Sequence, residues 1–246
     1  LLEVATATWD YNFQPETLIV GTSGRYEYRN KGIDVFLESL KQLAASNPNR
    51  DVLAIVAVPA ANMGARQDLV KHLEDKSQAI DPAQKRYLSH QLENEAWDQV
   101  SQSIEGSILS TTASRVKVLF IPTYLNGKDG VFNMPYYDVL AGMDLTVFAS
   151  YYEPWGYTPL ESVAFGVPTV TTTLAGFGMW VAKQSNHNGV DIVRRDDYNE
   201  REVVLQITDV IRKYMDVDAK AMAEVRESAQ EVASTALWKK LFNEYK

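Results

Sequence analysis

Six short runs of apolar and β-branched residues, separated by stretches of helical periodicity, constrain this 246-residue chain more than any other feature. They lie near 17–22, 52–58, 116–122, 144–149, 168–173 and 190–194. Their length and composition predict strands. Their near-continuous apolar character predicts strands covered on both faces, as in a parallel sheet. Between them, residues 33–45 place Ile33, Phe36, Leu37, Leu40 and Leu43 at helical spacing. Residues 66–106 are polar and charged, with Leu, Val, Ile and Trp at helical intervals, and read as a helical insertion of one or two surface helices. Residues 1–16 form a lead-in, 126–133 a mobile loop rich in Gly, Asn and Lys, and 200–215, 218–232 and 235–245 three closing helices. Strand–helix alternation of this kind predicts an α/β, Rossmann-like doubly wound sheet, whose ligands bind at the carboxyl ends of the strands.

Composition narrows the partners. A net charge of -8 and a pI of about 5.0 argue against a nucleic-acid or anionic-membrane surface. Cysteine is absent, which removes disulfides and thiolate metal sites and is compatible with a cytoplasmic protein. No apolar run reaches the ~18 residues of a spanning helix, and residues 1–16 lack the basic and apolar regions of a signal peptide. The chain begins at Leu1, as a processed product or an excised piece would. His72, His90 and His187 are isolated from one another and from carboxylate clusters, and no metal site is expected. The Gly-Phe-Gly at 176–178 reads as a loop.

Two segments that follow strands carry chemistry. In SYYEPWGYTPLESVAFGVP, residues 150–168, Glu153 and Glu161 stand seven residues apart. Thr158 is a natural N-cap for a short helix, Pro159 fits its first position, and Glu161 completes a capping box. Gly166 and Pro168 end that helix. A strand feeding a helix N-terminus offers free N–H groups and a favourable dipole to an anion, so a phosphate-bearing ligand is expected. The capping box alone also accounts for Glu161, and a surface turn accounts for Glu153. Tyr151, Tyr152, Trp155 and Tyr157 crowd the same turn and either line a sugar site or join the core. The second segment, GTSGRYEYRNKGIDVFLESL, follows the first strand. Gly21 and Gly24 permit close backbone approach, while Arg25 offers a planar fork and Lys31 a point charge, together suited to a diphosphate. Two solvated loop cations would read the same way.

With those residues in view, the chain resembles a known family. EPWGYTPLE looks like the acidic motif of retaining glycosyltransferases of the GT-B fold. SYYEPWGYTP is closer to the glycogen synthases of the animal and fungal type, glycosyltransferase family 3. GRYEYRNKGIDVFLESL looks like that family's donor-diphosphate loop, and VKVLFIPTYL followed by PYYDVLAGMDLTVFASYYEPWGYTPLESVAFGVPTVTTTLAGFG matches in order and spacing. The likeness covers residues 17–195.

The resemblance implies a donor-binding, C-terminal GT-B domain spanning 1–246 that takes UDP-glucose, or ADP-glucose, for α-1,4-glucan synthesis with retention at the anomeric carbon. Arg25 and Lys31 would bind the diphosphate and stabilise it as leaving group, which makes them catalytic together with Glu153, set over the transferred glucose. Glu161 would hold the ribose, and the backbone of Gly156, Tyr157 and Thr158 the distal phosphate. Tyr136 would stack on the base, although Tyr137 is adjacent. No cofactor or metal is implied, since Arg, Lys and a helix N-terminus neutralise a leaving diphosphate. The chain has length for one GT-B half only. The N-terminal half that meets the α-glucan acceptor is expected to be missing, 235–246 to be the helix that closes toward it, and the chain alone to be inactive. Homo-oligomers of a full-length enzyme are compatible with this reading. The arginine-rich helix of sugar-phosphate control has no counterpart here. Two alternatives stay open: another retaining transferase, of starch, sucrose or trehalose synthase type, and a non-catalytic nucleotide-sugar binding module.

Overall fold

The computed structural model describes residues 1–246 apart from 186, 238, 241 and 243–246. In chain order the strands are β1 (Leu18–Ser23), β2 (Val52–Ala57), β3 (Asn62–Ala65), β4 (His90–Leu92), β5 (Val116–Phe120), β6 (Leu145–Val147), β7 (Thr169–Thr172) and β8 (Val190–Val193). The helices are α1 (Leu2–Trp9), α2 (Ile33–Ala45), α3 (Gln67–Glu74), α4 (Gln99–Ile104), α5 (Tyr136–Ala141), α6 (Tyr157–Ala164), α7 (Gly176–Val181), α8 (Glu200–Met215) and α9 (Ala219–Thr235). Six strands form one sheet in the order β5-β2-β1-β6-β7-β8. Every pairing in it is parallel, with β1 and β2 in register from Leu18 opposite Val52 to Ser23 opposite Ala57. All six strands expected from sequence are present, and β1, β2 and β5 are buried at every position. The strand order reverses between β1 and β6. That switch point opens a crevice at the carboxyl ends, where doubly wound sheets bind ligands.

Helices α2 and α8 run over the residues their periodicity marks. They pack through a small polar contact within an apolar stripe: the Ser39 hydroxyl donates to the Val35 carbonyl at 2.6 Å and reaches the Val204 carbonyl at 3.1 Å. Helix α9 continues to Thr235, three residues beyond the expected stop. Half the residues of the further closing helix expected over 235–246 lie outside those described.

Three regions depart from expectation. The lead-in is part of the core, because α1 buries Trp9 completely and the indole N–H donates to the Val118 carbonyl at 2.9 Å. Residues 66–106 are not a pair of surface helices. They hold α3, α4 and strand β4, which pairs antiparallel with β3, and Leu69, Leu88, Val100 and Ile104 enter the main core. The loop at 126–133 is organised around the Asp129 carboxylate, which accepts the N–H groups of Val131, Phe132 and Asn133. Its backbone carbonyl meets Nε2 of buried His90 at 2.9 Å.

Strand β5 also buries a cation. The Lys117 ammonium donates to the carbonyls of Thr111, Thr112 and Ser114 and faces the rings of Trp9 and Tyr11, at 5.2 and 4.6 Å from their centroids. Burial pushes its pKa down to about 8. The carbonyls and ring faces supply the partners a buried charge requires.

Candidate functional site

Two loops meet at the switch point. The first leaves β1 at Ser23 and delivers Lys31 to the head of α2 through successive turns, with the Lys31 N–H on the Glu27 carbonyl at 2.8 Å and the Ile33 N–H on the Tyr28 carbonyl at 3.0 Å. Gly32 caps α2 in the left-handed region at φ 69°. A Cβ there would collide with the carbonyl oxygen of Ala149, so only glycine lets the two loops touch. The second loop leaves β6 and runs from Ala149 to Gly156. The Tyr151 N–H donates to the Asn30 carbonyl at 2.8 Å, tying one loop to the other. Glu153 is held at both backbone groups, its N–H on the Leu174 carbonyl at 3.3 Å and its carbonyl on the Gly176 N–H at 3.1 Å. Across this seam the Lys31 ammonium and the Glu153 carboxylate form an ion pair, with side chains only 15% and 18% exposed.

Helix α6 begins two residues earlier than its sequence suggests. Gly156, at φ 105°, occupies the N-cap, Tyr157 is the first helical residue, and no side chain caps the helix. The capping box of Thr158 and Glu161 is therefore not formed. Proline at 159 is tolerated because the first-turn N–H groups have no intrahelical partner. The N–H groups of the first turn are left without a side-chain cap, and the bland explanation of Glu161 is removed. The helix ends as its sequence indicates: the Val167 N–H donates to the Ser162 carbonyl at 2.9 Å and the Gly166 N–H to the Val163 carbonyl at 3.0 Å.

A cleft of about 490 Å³ opens at the ends of β1 and β2, lined by Gly24, Arg25, Tyr26, Tyr124, Tyr136 and Thr158 among others. Tyr136 forms part of its wall, its hydroxyl 2.7 Å from the Ser23 hydroxyl, and burial pushes its phenol up to about 12. Tyr137 faces away. Its ring stacks on Phe165 at 4.7 Å and 5°, and its hydroxyl donates to Glu161 at 3.3 Å. Arg25 extends into solvent with its side chain 77% exposed, paired to Glu27 at 3.1 Å. The structure thus joins Lys31 to Glu153, sets Arg25, Tyr136 and Thr158 around one cleft, and places Gly156 and Tyr157 at an uncapped helix N-terminus. Glu161 lies outside the residues lining the cleft. Of the crowded aromatics, Trp155 joins Phe177 and Trp180 in a small second core, whereas Tyr151, Tyr152 and Tyr157 are exposed. The Gly-Phe-Gly at 176–178 opens α7 rather than forming a loop.

Sequence reasoning passed over Tyr26, although it sits between Arg25 and Lys31. Its hydroxyl donates to Asp98 at 2.7 Å and accepts from the Val100 N–H at 3.0 Å, so the segment carrying α4 braces the first loop. Burial pushes its phenol up. No group of three or more His, Asp or Glu side chains able to hold a metal occurs among the described residues. Nor is any described helix long and apolar enough to cross a membrane.

A six-stranded parallel sheet in this order, flanked by helices, is the α/β fold found in GT-B glycosyltransferases. The C-terminal domain of a group 1 family glycosyl transferase from Francisella tularensis has the same fold, with a TM-score of 0.51 at 15% identity over 89% of this chain and 85% of that one. The glycogen synthase family model matches residues 83–246, and this chain belongs to that family. The glycogen [starch] synthase of Neurospora crassa is 29% identical over 96% of this chain and 42% of that protein. Isoform 1 from Saccharomyces cerevisiae is 26% identical over 91% and 41%. The liver form of Mus musculus is 30% identical over 68% and 31%. The chain spans about two fifths of the length of the two fungal relatives.

Proposed function

We propose that this chain is the donor-binding part of a retaining glucosyltransferase that builds α-1,4-glucan from UDP-glucose. One observation carries the reading: Lys31 and Glu153, from loops 122 positions apart in sequence, meet at the switch point beside the uncapped N-terminus of α6. The diphosphate would lie between Arg25, Lys31 and the N–H groups that follow Gly156, with the base against Tyr136 in the cleft and the ribose toward Glu161. Glu153 would accept hydrogen bonds from the glucose hydroxyls. In the transfer, the bond from the anomeric carbon to the diphosphate oxygen breaks and a bond to an acceptor hydroxyl oxygen forms on the same face. The acceptor's proton passes to the departing phosphate. Fixed cations and a helix dipole suit the charge that develops on the diphosphate, so no metal is invoked. An α-glucan acceptor, a cytoplasmic location and self-association belong to the same proposal and rest on the family.

Glucose transfer from UDP-glucose to glycogen, measured on the protein at its native length, tests the role of Glu153. Glu153→Gln is expected to lower turnover by about a hundredfold or more, in the range seen when a group that contacts the transition state is removed, while UDP still binds. Unchanged turnover contradicts the proposal.

A further inference from the structure

Arg195 lies two residues beyond β8 and is only 4% exposed, a rare setting for a guanidinium. Its backbone is fixed to the end of β7: its N–H donates to the Thr173 hydroxyl oxygen at 3.1 Å, and that hydroxyl reaches the Arg195 carbonyl at 3.2 Å. From this anchor the side chain crosses beneath the second loop, and Nη1 donates to the Ala149 carbonyl. The same oxygen is the one that a Cβ on Gly32 would strike. A single carbonyl is therefore the meeting point of Arg195, the loop carrying Lys31 and the loop carrying Glu153.

The guanidinium also lies 4.9 Å from the centre of the Tyr151 ring, whose hydroxyl donates to the Asp197 carboxylate. Tyr151 in turn ties the two loops through the Asn30 carbonyl. Arg195 thus holds the turn of 149–153 from below at two points, a carbonyl and an aromatic face. No ion pair joins Arg195 to a carboxylate among the described residues, so its planar fork is committed to this turn. Burial lowers its pKa, and Asp34 and Glu200 counter that, which keeps the cation charged at neutral pH.

We propose that Arg195 is a positioning residue that holds the Glu153 turn at the height where its carboxylate meets the sugar of a nucleotide-sugar donor. This rests on the donor reading above. Arg195 acts through Ala149 and Tyr151 and need not touch the donor, so its loss should weaken the sugar contact and spare the diphosphate contacts of the first loop.

The test is calorimetric titration of the 246-residue chain with UDP and with UDP-glucose, in the wild type, Arg195→Met, Arg195→Lys and Glu153→Gln, each checked for folding by thermal unfolding. The wild type should bind UDP-glucose more tightly than UDP. Glu153→Gln and Arg195→Met should each erase that preference, about tenfold on the sugar conjugate, the size of one hydrogen bond to a charged group, with UDP affinity unchanged within about twofold. Arg195→Lys should fall between, because an ammonium cannot also stack as a planar fork does. If Arg195→Met does not fold, Arg195→Lys is read by the same criterion. Loss of the preference in Glu153→Gln but not in the Arg195 variants overturns the proposal and leaves the donor reading standing. Equal weakening of UDP and UDP-glucose by the Arg195 variants also overturns it. A wild type with no preference for the sugar conjugate removes the Glu153 contact and the proposal with it.

Discussion

At the scale of single residues, the site depends on backbone contacts too close for ordinary side chains. Gly32 combines a left-handed conformation with a carbonyl oxygen where its Cβ would stand. Gly32→Ala is therefore expected to destabilise the fold by about 2–4 kcal/mol, strain and overpacking adding, with a lower urea midpoint; an unchanged midpoint would mean the loops do not touch there. Lys117 gives a pH signature. Its folded pKa of about 8 lies below the ordinary 10.5. Between those values the unfolded chain holds the proton and the folded chain does not, so stability rises with pH across that window, by at most ~1.4 kcal/mol per unit. The phenols of Tyr26, Tyr87 and Tyr214, pushed up by burial, act with the opposite sign above about pH 10. Denaturant unfolding between pH 8 and 10 should show the rise in the wild type and not in Lys117→Met; a rise of equal slope in both would assign it elsewhere.

At the scale of elements, Asp98 connects the 66–106 segment to the site. One carboxylate oxygen caps α4 by accepting the Ser101 N–H at 2.8 Å, and the other accepts the Tyr26 hydroxyl. Asp98→Ala should cost about 1–2 kcal/mol of stability through the lost cap and weaken nucleotide binding several-fold through Tyr26, whereas Asp98→Asn should keep the cap. Nucleotide affinity unchanged in both would separate the segment from the site. That link was not legible in the sequence, for a physical reason. Strand β4 is three residues long and owes its existence to β3, which lies 28 positions before it, counted from the start of each strand. Local periodicity sees only one side of such a pairing, so scattered apolar residues read as helix. Elements that bury a regular stripe on their own, α2 and α8, were legible to the residue. The start of α6 was not, because a glycine in the left-handed region took the N-cap from the threonine that local preference favours.

At the scale of the whole molecule, the sheet order brings loops from β1 and β6 side by side, with Arg25 and Lys31 in one and Glu153 in the other, whereas Tyr136 and Glu161 lie on α5 and α6. Residue types and spacing single out Arg25, Lys31, Glu153 and the α6 N-terminus as candidates because each stands next to a strand end. They could not mark Arg195 or Asp98, whose partners lie 46 and 72 positions away. A ligand bound only by the folded chain should stabilise it with the logarithm of ligand concentration, by about 2.7 kcal/mol at a hundred times Kd, and raise its thermal midpoint accordingly. The most direct measurement is calorimetric titration of this chain with UDP and ADP, beside Lys31→Ala and Arg25→Ala. One nucleoside diphosphate should bind at a single site, about tenfold or more weaker in Lys31→Ala and less affected in exposed Arg25→Ala. Absence of binding by either nucleotide, or equal binding by the wild type and Lys31→Ala, would contradict the placing of a diphosphate at this switch point.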